Sequence, residues 1–311
     1  MEMGALVVAA GGDLNGASPG SSLWAPAWPV LGQSVLERWI RMVQGLGVGL
    51  VSVVDRAEQP SKRIHTMVEW AREGVERILL IVLGSYAEID LGDLVRFHYQ
   101  GQHGVTRVFD QEGPLGISLL DRDSVLVDTE RVASEPYRPS SRYDFLGYVI
   151  RLSSTVSYRR LVEDALQGRC AIRPSGIQAR ENVWIDPSAW LDAHVKIEAP
   201  GYIGPGAKVR AGVTIRGCSS IERDCEIDLG TTLDHTSILP NTYVAPGLYV
   251  RESVVDGTRL ENLARSVALD LGAAGLLARI SKPQPNGAKP LNLSAAVDLP
   301  LSDVDGHRED P

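Results

Sequence analysis

The chain has 311 residues, enough for two ordinary domains, and its 44% hydrophobic and 23% charged residues are an ordinary globular mixture. Its net charge of −8 is spread over interspersed acids and bases, which leaves no basic face for nucleic acid or an anionic membrane. Cys170, Cys218 and Cys225 are too few for a disulfide framework, no apolar run reaches a membrane span, and MEMGALVVAAGG carries no basic leader, so a cytoplasmic protein is expected.

Residues 5–10 (ALVVAA) predict a buried strand running into the loop Gly11-Gly12-Asp13-Leu14-Asn15-Gly16. Ser34, with Glu37 three residues later, forms a capping box that opens a helix whose buried stripe is Val35, Leu36, Trp39, Ile40 and Val43. A strand follows at Val48–Val54, then a helix carrying Ile64, Met67, Val68 and Ala71 that stops at Gly74. Ile78–Leu83 predicts an apolar strand, Asp90 caps a helix bearing Leu91, Leu94 and Val95, and Val105–Phe109 predicts another strand. His98 shares the apolar face of that helix, the placement of a packed, hydrogen-bonded histidine. Residues Gly116–Val127 suit a hairpin around Asp121-Arg122-Asp123, Tyr143–Leu152 a strand, and Tyr158–Leu166 a helix. Strands alternating with helices predict a Rossmann-like parallel sheet covered on both faces over residues 1–168, with ligand loops after Ala10 and Leu83.

After a linker at 169–182, the pattern changes to a period of six. Ile185, Leu191, Ile197, Ile203, Val209, Ile215, Ile221, Ile227, Leu233 and Leu239 recur at this interval, and the fourth residue after each is compact in nine of ten cases. Helices repeat near 3.6 residues and strands near two, so neither explains six. One short strand plus a corner per hexad, and three hexads per turn, predict a left-handed parallel β-helix over 183–280. The register slips by one after Leu233, where Ile238, Val244 and Val250 take up the spacing. Such an array needs covered ends; the N-terminal domain is expected over one and Leu260–Ile280 over the other. Cys218 and Cys225 read as small buried thiols, and residues 281–311 as a disordered tail.

The succession of Ala9-Ala10-Gly11, PVLGQSVLERWI at Pro29–Ile40, LLIVLG at Leu79–Gly84 and then the hexads resembles the sugar-1-phosphate nucleotidyltransferases. The nearest likeness is to mannose-1-phosphate guanylyltransferases and glucose-1-phosphate nucleotidyltransferases with a C-terminal β-helix. The resemblance implies a nucleotide site in the loop at Ala10, Gly11, Gly12 and Asp13, and Mg²⁺ as cofactor if nucleotidyl transfer is retained. It also places the family's catalytic arginine on Asn15, its lysine on Ala25 and its metal aspartate on Ser85. A second metal ligand falls near Phe145, with Asp144 beside it. All three catalytic charges are thus replaced by neutral residues, and Asp13 sets a negative charge where a triphosphate would lie.

Three functional readings follow. The first is a degenerate, regulatory or scaffolding pseudoenzyme of nucleotide-sugar metabolism, partnered by a second copy or an active paralogue and holding a nucleotide or sugar phosphate without turnover. The second is an active nucleotidyltransferase in which other groups, such as Arg38 or Lys62, replace the missing charges. The third is a hexapeptide-repeat acyltransferase with His194 or His235, both at corners, as general base. Trp24 and Trp28, in the loop that carries the lysine in the family, read as plugs of an emptied cleft or, alternatively, as rings that stack a base or sugar.

Overall fold

A computed structural model describes residues 3–9, 27–55, 60–102, 104–127 and 141–280. The first part of the chain runs β1 (Met3–Ala9), a two-strand ribbon of β2 (Pro29–Val30) and β3 (Gln33–Ser34), α1 (Val35–Gly45), β4 (Leu50–Asp55), α2 (Pro60–Glu73), β5 (Arg77–Val82) and β6 (Ser85–Ala87). It continues with α3 (Leu91–Gly101), β7 (Val105–Asp110), β8 (Gly113–Asp121), α4 (Arg122–Val127), β9 (Ser141–Asp144), β10 (Val149–Arg151) and α5 (Thr155–Leu166). Both predicted helix starts hold. The Ser34–Glu37 capping box is complete, and Asp90 Oδ1 accepts hydrogen bonds from the amides of Gly92 and Asp93.

Six strands form one sheet in the order β4-β1-β5-β8-β7-β9. The alternation of β1 divides its side chains: Ala5 and Val7 pack under α1, α3 and α5, while Leu6 packs under α2 and α4. The sheet is covered on both faces, as expected, but it is mixed. Strand β8 runs antiparallel to both β5 and β7. The cause is local, since the Asp110 carboxylate accepts from the amides of Glu112 and Gly113 and closes a tight β7–β8 turn. The hairpin expected at Asp121-Arg122-Asp123 is therefore replaced by the end of β8 and the start of α4. Asp121 instead binds Arg77 at 3.2 Å and His98 Nε2 at 3.1 Å. The single strand expected at Tyr143–Leu152 is two, because β9 joins the main sheet while β10 pairs with β6.

From Val183 the chain makes short strands that fall into three sheets in rotation. The first stacks Val183–Ile185, Gly201–Ile203, Ser219–Ile221, Ser237–Ile238 and Ser253–Asp256; the second begins at Trp190–Leu191 and the third at Lys196–Ile197. Pairing within each ladder is parallel. Ile203 lies beside Ile221, eighteen residues on, whereas Ile221 lies beside Ile238, only seventeen on, which is the slip read from the sequence. The aliphatic series from Ile203 to Leu233 is fully buried in one interior, and Ile185, Leu191 and Ile197 line its half-buried first turn. The compact residues Ala207, Val213, Ser219, Cys225 and Thr231 are buried as well. Between them the backbone turns through positive φ at Gly206, Gly212, Cys218, Asp224 and Gly230, then at His235, Asn241 and Gly247. Leu239 falls outside that interior, as the slip to Ile238 requires. It is buried, but in the core of the α/β part rather than in the repeat interior.

The ends differ. The C-terminal strands Arg259–Asn262, Val267–Asp270 and Leu277–Arg279 add antiparallel to the first and second ladders, with Leu260 and Leu277 against the interior. The α/β part does not cover the other end as expected; it packs along the flank. The outward column of the first ladder, Tyr202, Ser220, Ser237 and Val254, is buried, whereas Trp190, Lys208, Lys196 and Tyr249 on the other ladders are exposed. Of the cysteines, Cys170, Cys218 and Cys225 are all free and buried.

Candidate functional site

The residues expected to cradle a nucleotide, Ala10, Gly11, Gly12 and Asp13, and the catalytic positions Asn15 and Ala25 lie outside the described residues, as does Trp24. Trp28 is half-buried and meets the Tyr158 ring edge-on at 5.1 Å. The third catalytic position is well defined. Ser85 follows the carboxyl end of β5, is 5% exposed, and donates from Oγ to the Leu115 carbonyl at 3.4 Å. Its carbonyl faces Trp39 Nε1. Directly across the β6–β10 pair stands Arg151. That guanidinium binds Asp110 at 2.5 Å, Glu112 at 3.1 Å and the carbonyls of Gly113 and Pro114.

A neutral hydroxyl opposite a committed guanidinium does not fit Mg²⁺, which needs oxygen ligands that include carboxylates and repels a neighbouring cation. Asp144, beside the second expected ligand position, is exposed and paired with Arg142. Among the described residues, no group of three or more His, Cys, Asp or Glu side chains is placed to hold a metal ion. Of the two groups offered as substitutes, Arg38 donates to the Val30 carbonyl at 2.9 Å and Lys62 is exposed on α2.

The polar groups that do converge lie where the α/β part meets the repeats. Glu222, fully buried, accepts from the amides of Leu31 at 2.9 Å and Gly32 at 3.0 Å, two consecutive residues of positive φ in the β2–β3 turn. Successive amides in such a turn form a small anion-binding concavity, and here a side chain of the same protein fills it. Burial raises the carboxyl to about 7 against the opposing pull of the two amides. Nearby, Arg159 of α5 is 4% exposed and donates to the carbonyls of His235, Gly217 and Cys218, while Glu163 lies 3.3 Å from it. Tyr158 donates to the Pro29 carbonyl and Thr155 to Glu261.

The two candidate histidines diverge. His194 sits exposed at a corner, with φ +65°. His235 occupies a like corner, but its Nδ1 is 2.9 Å from Asp234 Oδ1, so Nδ1–H donates to the carboxylate. Asp234 also accepts from Tyr249 at 2.9 Å and Arg216 at 3.1 Å. Burial works to raise its carboxyl, yet these three donors outweigh burial and hold it below the ordinary value. The sequence marked His235 but neither Asp234 nor Arg159, whose partners come from other turns and another domain. Comparison with models of known families finds no match, and comparison with curated proteins finds no relative.

Proposed function

We propose that this chain is a nucleotidyltransferase-like protein of nucleotide-sugar metabolism, with a left-handed β-helix, that acts as a regulatory or scaffolding subunit and not as a catalyst. The observation that carries the reading is Ser85 opposite Arg151, at the position where the resemblance places a metal aspartate. Losing one electrostatic stabiliser of a developing charge costs about 2.7–4 kcal/mol, so losing a metal site and two cations together removes turnover. The rigid stack of parallel ladders, with two outer faces left uncovered, suits association with a second copy or an active paralogue.

The test is release of pyrophosphate from a nucleoside triphosphate and a sugar 1-phosphate with Mg²⁺. None above background is expected; turnover on the order of 1 per second would overturn the reading. Size-exclusion chromatography with light scattering tests the second half, and a strictly monomeric protein with no stable partner would count against it. The His235–Asp234 pair favours one alternative, the acyltransferase. Thiol release from acetyl-CoA that disappears in His235→Ala would establish that reading instead.

A further inference from the structure

A cleft of about 450 Å³ opens between α5 and the corners of the repeats, lined among others by Arg159, Arg160, Glu163, His235, Glu252 and Leu263. Its charges are unequally committed. Glu163 lies 3.3 Å from Arg159, and Glu252 lies 3.0 Å from Arg251, so both carboxylates already have cations. Arg160 is three-quarters exposed and, among the described residues, pairs only with Asp164, at 4.0 Å, the edge of an ion pair. His235 uses Nδ1 for Asp234, and its Nε2 has no partner among the described residues. The balance left over in the cleft is therefore a guanidinium and an imidazole nitrogen, beside the half-buried Leu263 and the exposed Val156.

The imidazole is fixed in place. Asp234 is itself held by Arg216 and Tyr249, from the preceding and the following turn of one ladder, so the carboxylate that orients the ring cannot rotate freely. The corner one turn earlier is a glycine, Gly217, and a Cβ there would come within 2.2 Å of Nδ1. The ring thus lies against bare backbone in a space that any larger residue would occupy. His194, at a corner of the same backbone type, has neither a carboxylate partner among the described residues nor a place in this cleft.

We propose that this cleft is a binding site for a small organic oxyanion, a phosphate monoester or a carboxylate with a short apolar body. Arg160 and protonated His235 Nε2 bind the anionic end, and Leu263 and Val156 pack on the body. Asp234 orients the ring by accepting from Nδ1, which leaves Nε2 as the nitrogen that meets the anion. Because the cleft wall comes from both parts of the chain, an occupant contacts α5 and the repeats at once. The inference does not rest on the proposed function: neither Ser85 nor association enters it.

The test uses the full chain with histidines labelled at Cε1, titrated at constant ionic strength with inorganic phosphate, glycerol 3-phosphate, acetate and butyrate. The expected result is a saturable movement of the His235 resonance while that of His194, the internal control, stays still. Arg160→Ala, at an exposed position, should weaken binding about tenfold or more with the fold intact. Saturation by the phosphates alone, or by the carboxylates alone, would identify which oxyanion the site takes. Equal, non-saturating movement of both histidines, or unchanged affinity in Arg160→Ala, would overturn the proposal.

Discussion

A carboxylate removed from water is normally neutralised by a cation, yet both oxygens of Glu222 meet backbone amides instead. This fixes the sign of its pH dependence. The carboxyl stands at about 7 in the folded protein against 4.5 as its ordinary value, so the folded state holds a proton that the unfolded state has released between those limits. Its contribution to stability is fully present below about 4.5 and is lost as pH rises through about 7. The loss amounts to roughly 3 kcal/mol at most. Denaturant midpoints at pH 5 and pH 8 should therefore fall more steeply for the native chain than for Glu222→Gln, which cannot ionise. Equal slopes would mean that the site is wetter than its burial implies. At pH 5 the variant should be less stable by about 1–3 kcal/mol, because its amide group presents donors to the donors of Leu31 or Gly32.

At the scale of elements, burial along the repeat is graded, and substitution costs should follow it. Ile215 is wholly buried between Ile197 and Leu233 of its ladder, so Ile215→Ala should cost about 2–5 kcal/mol. Ile197, in the half-buried first turn, should cost clearly less under the same change. Ile215→Asp would bury an unpaired carboxylate and should unfold the repeats, read as loss of the cooperative transition. These interior positions were legible in the sequence because a period of six has one geometric source. The helix caps were legible too, since Ser34, Glu37 and Asp90 act within three residues of their targets. The direction of β8 was not, because an Asx turn at Asp110 looks like any other loop, and alternation does not say which strands are neighbours. Nor was the junction. Hexad spacing assigns Ser220 and Glu222 no distinctive place, and only the α/β part, far away along the chain, makes their burial intelligible. Of the predicted sites, Ser85 stands just after β5, where the sequence placed it, and the glycine loop lies outside the described residues.

For the molecule as a whole, one arginine ties the two parts of the chain together beside their apolar contacts. Arg159 donates to carbonyls at corners seventeen or eighteen residues apart, and burial lowers its pKa by disfavouring the charged form. Arg159→Ala should destabilise the junction by about 3–5 kcal/mol, since three carbonyls lose their donor and Glu163 loses its cation. Hydrogen exchange should then rise in α5 while the repeat interior keeps its protection. Arg159→Lys should rescue little, because an ammonium cannot reproduce a planar fork that spans two corners. Unchanged exchange in α5 would show that apolar packing alone holds the two parts together.

The flank contact also gives the α/β part a means of measuring the repeat array. From Tyr202 to Val254 its footprint crosses successive turns, each advancing by the inter-strand distance of about 4.8 Å, like a gauge laid against a threaded rod. Thr155, tied to Glu261, and the β2–β3 turn, tied to Glu222, read two marks on that thread. An extra turn outside the marks leaves their separation alone; one between them lengthens it by a full graduation, which a rigid sheet and helix cannot follow. Duplicating residues 186–203 should therefore keep α5 protected from proteolysis, while duplicating 226–242, one turn strictly between the marks, should free one mark or the other. If both duplications behave alike, the flank tolerates slippage and the pitch is not being gauged.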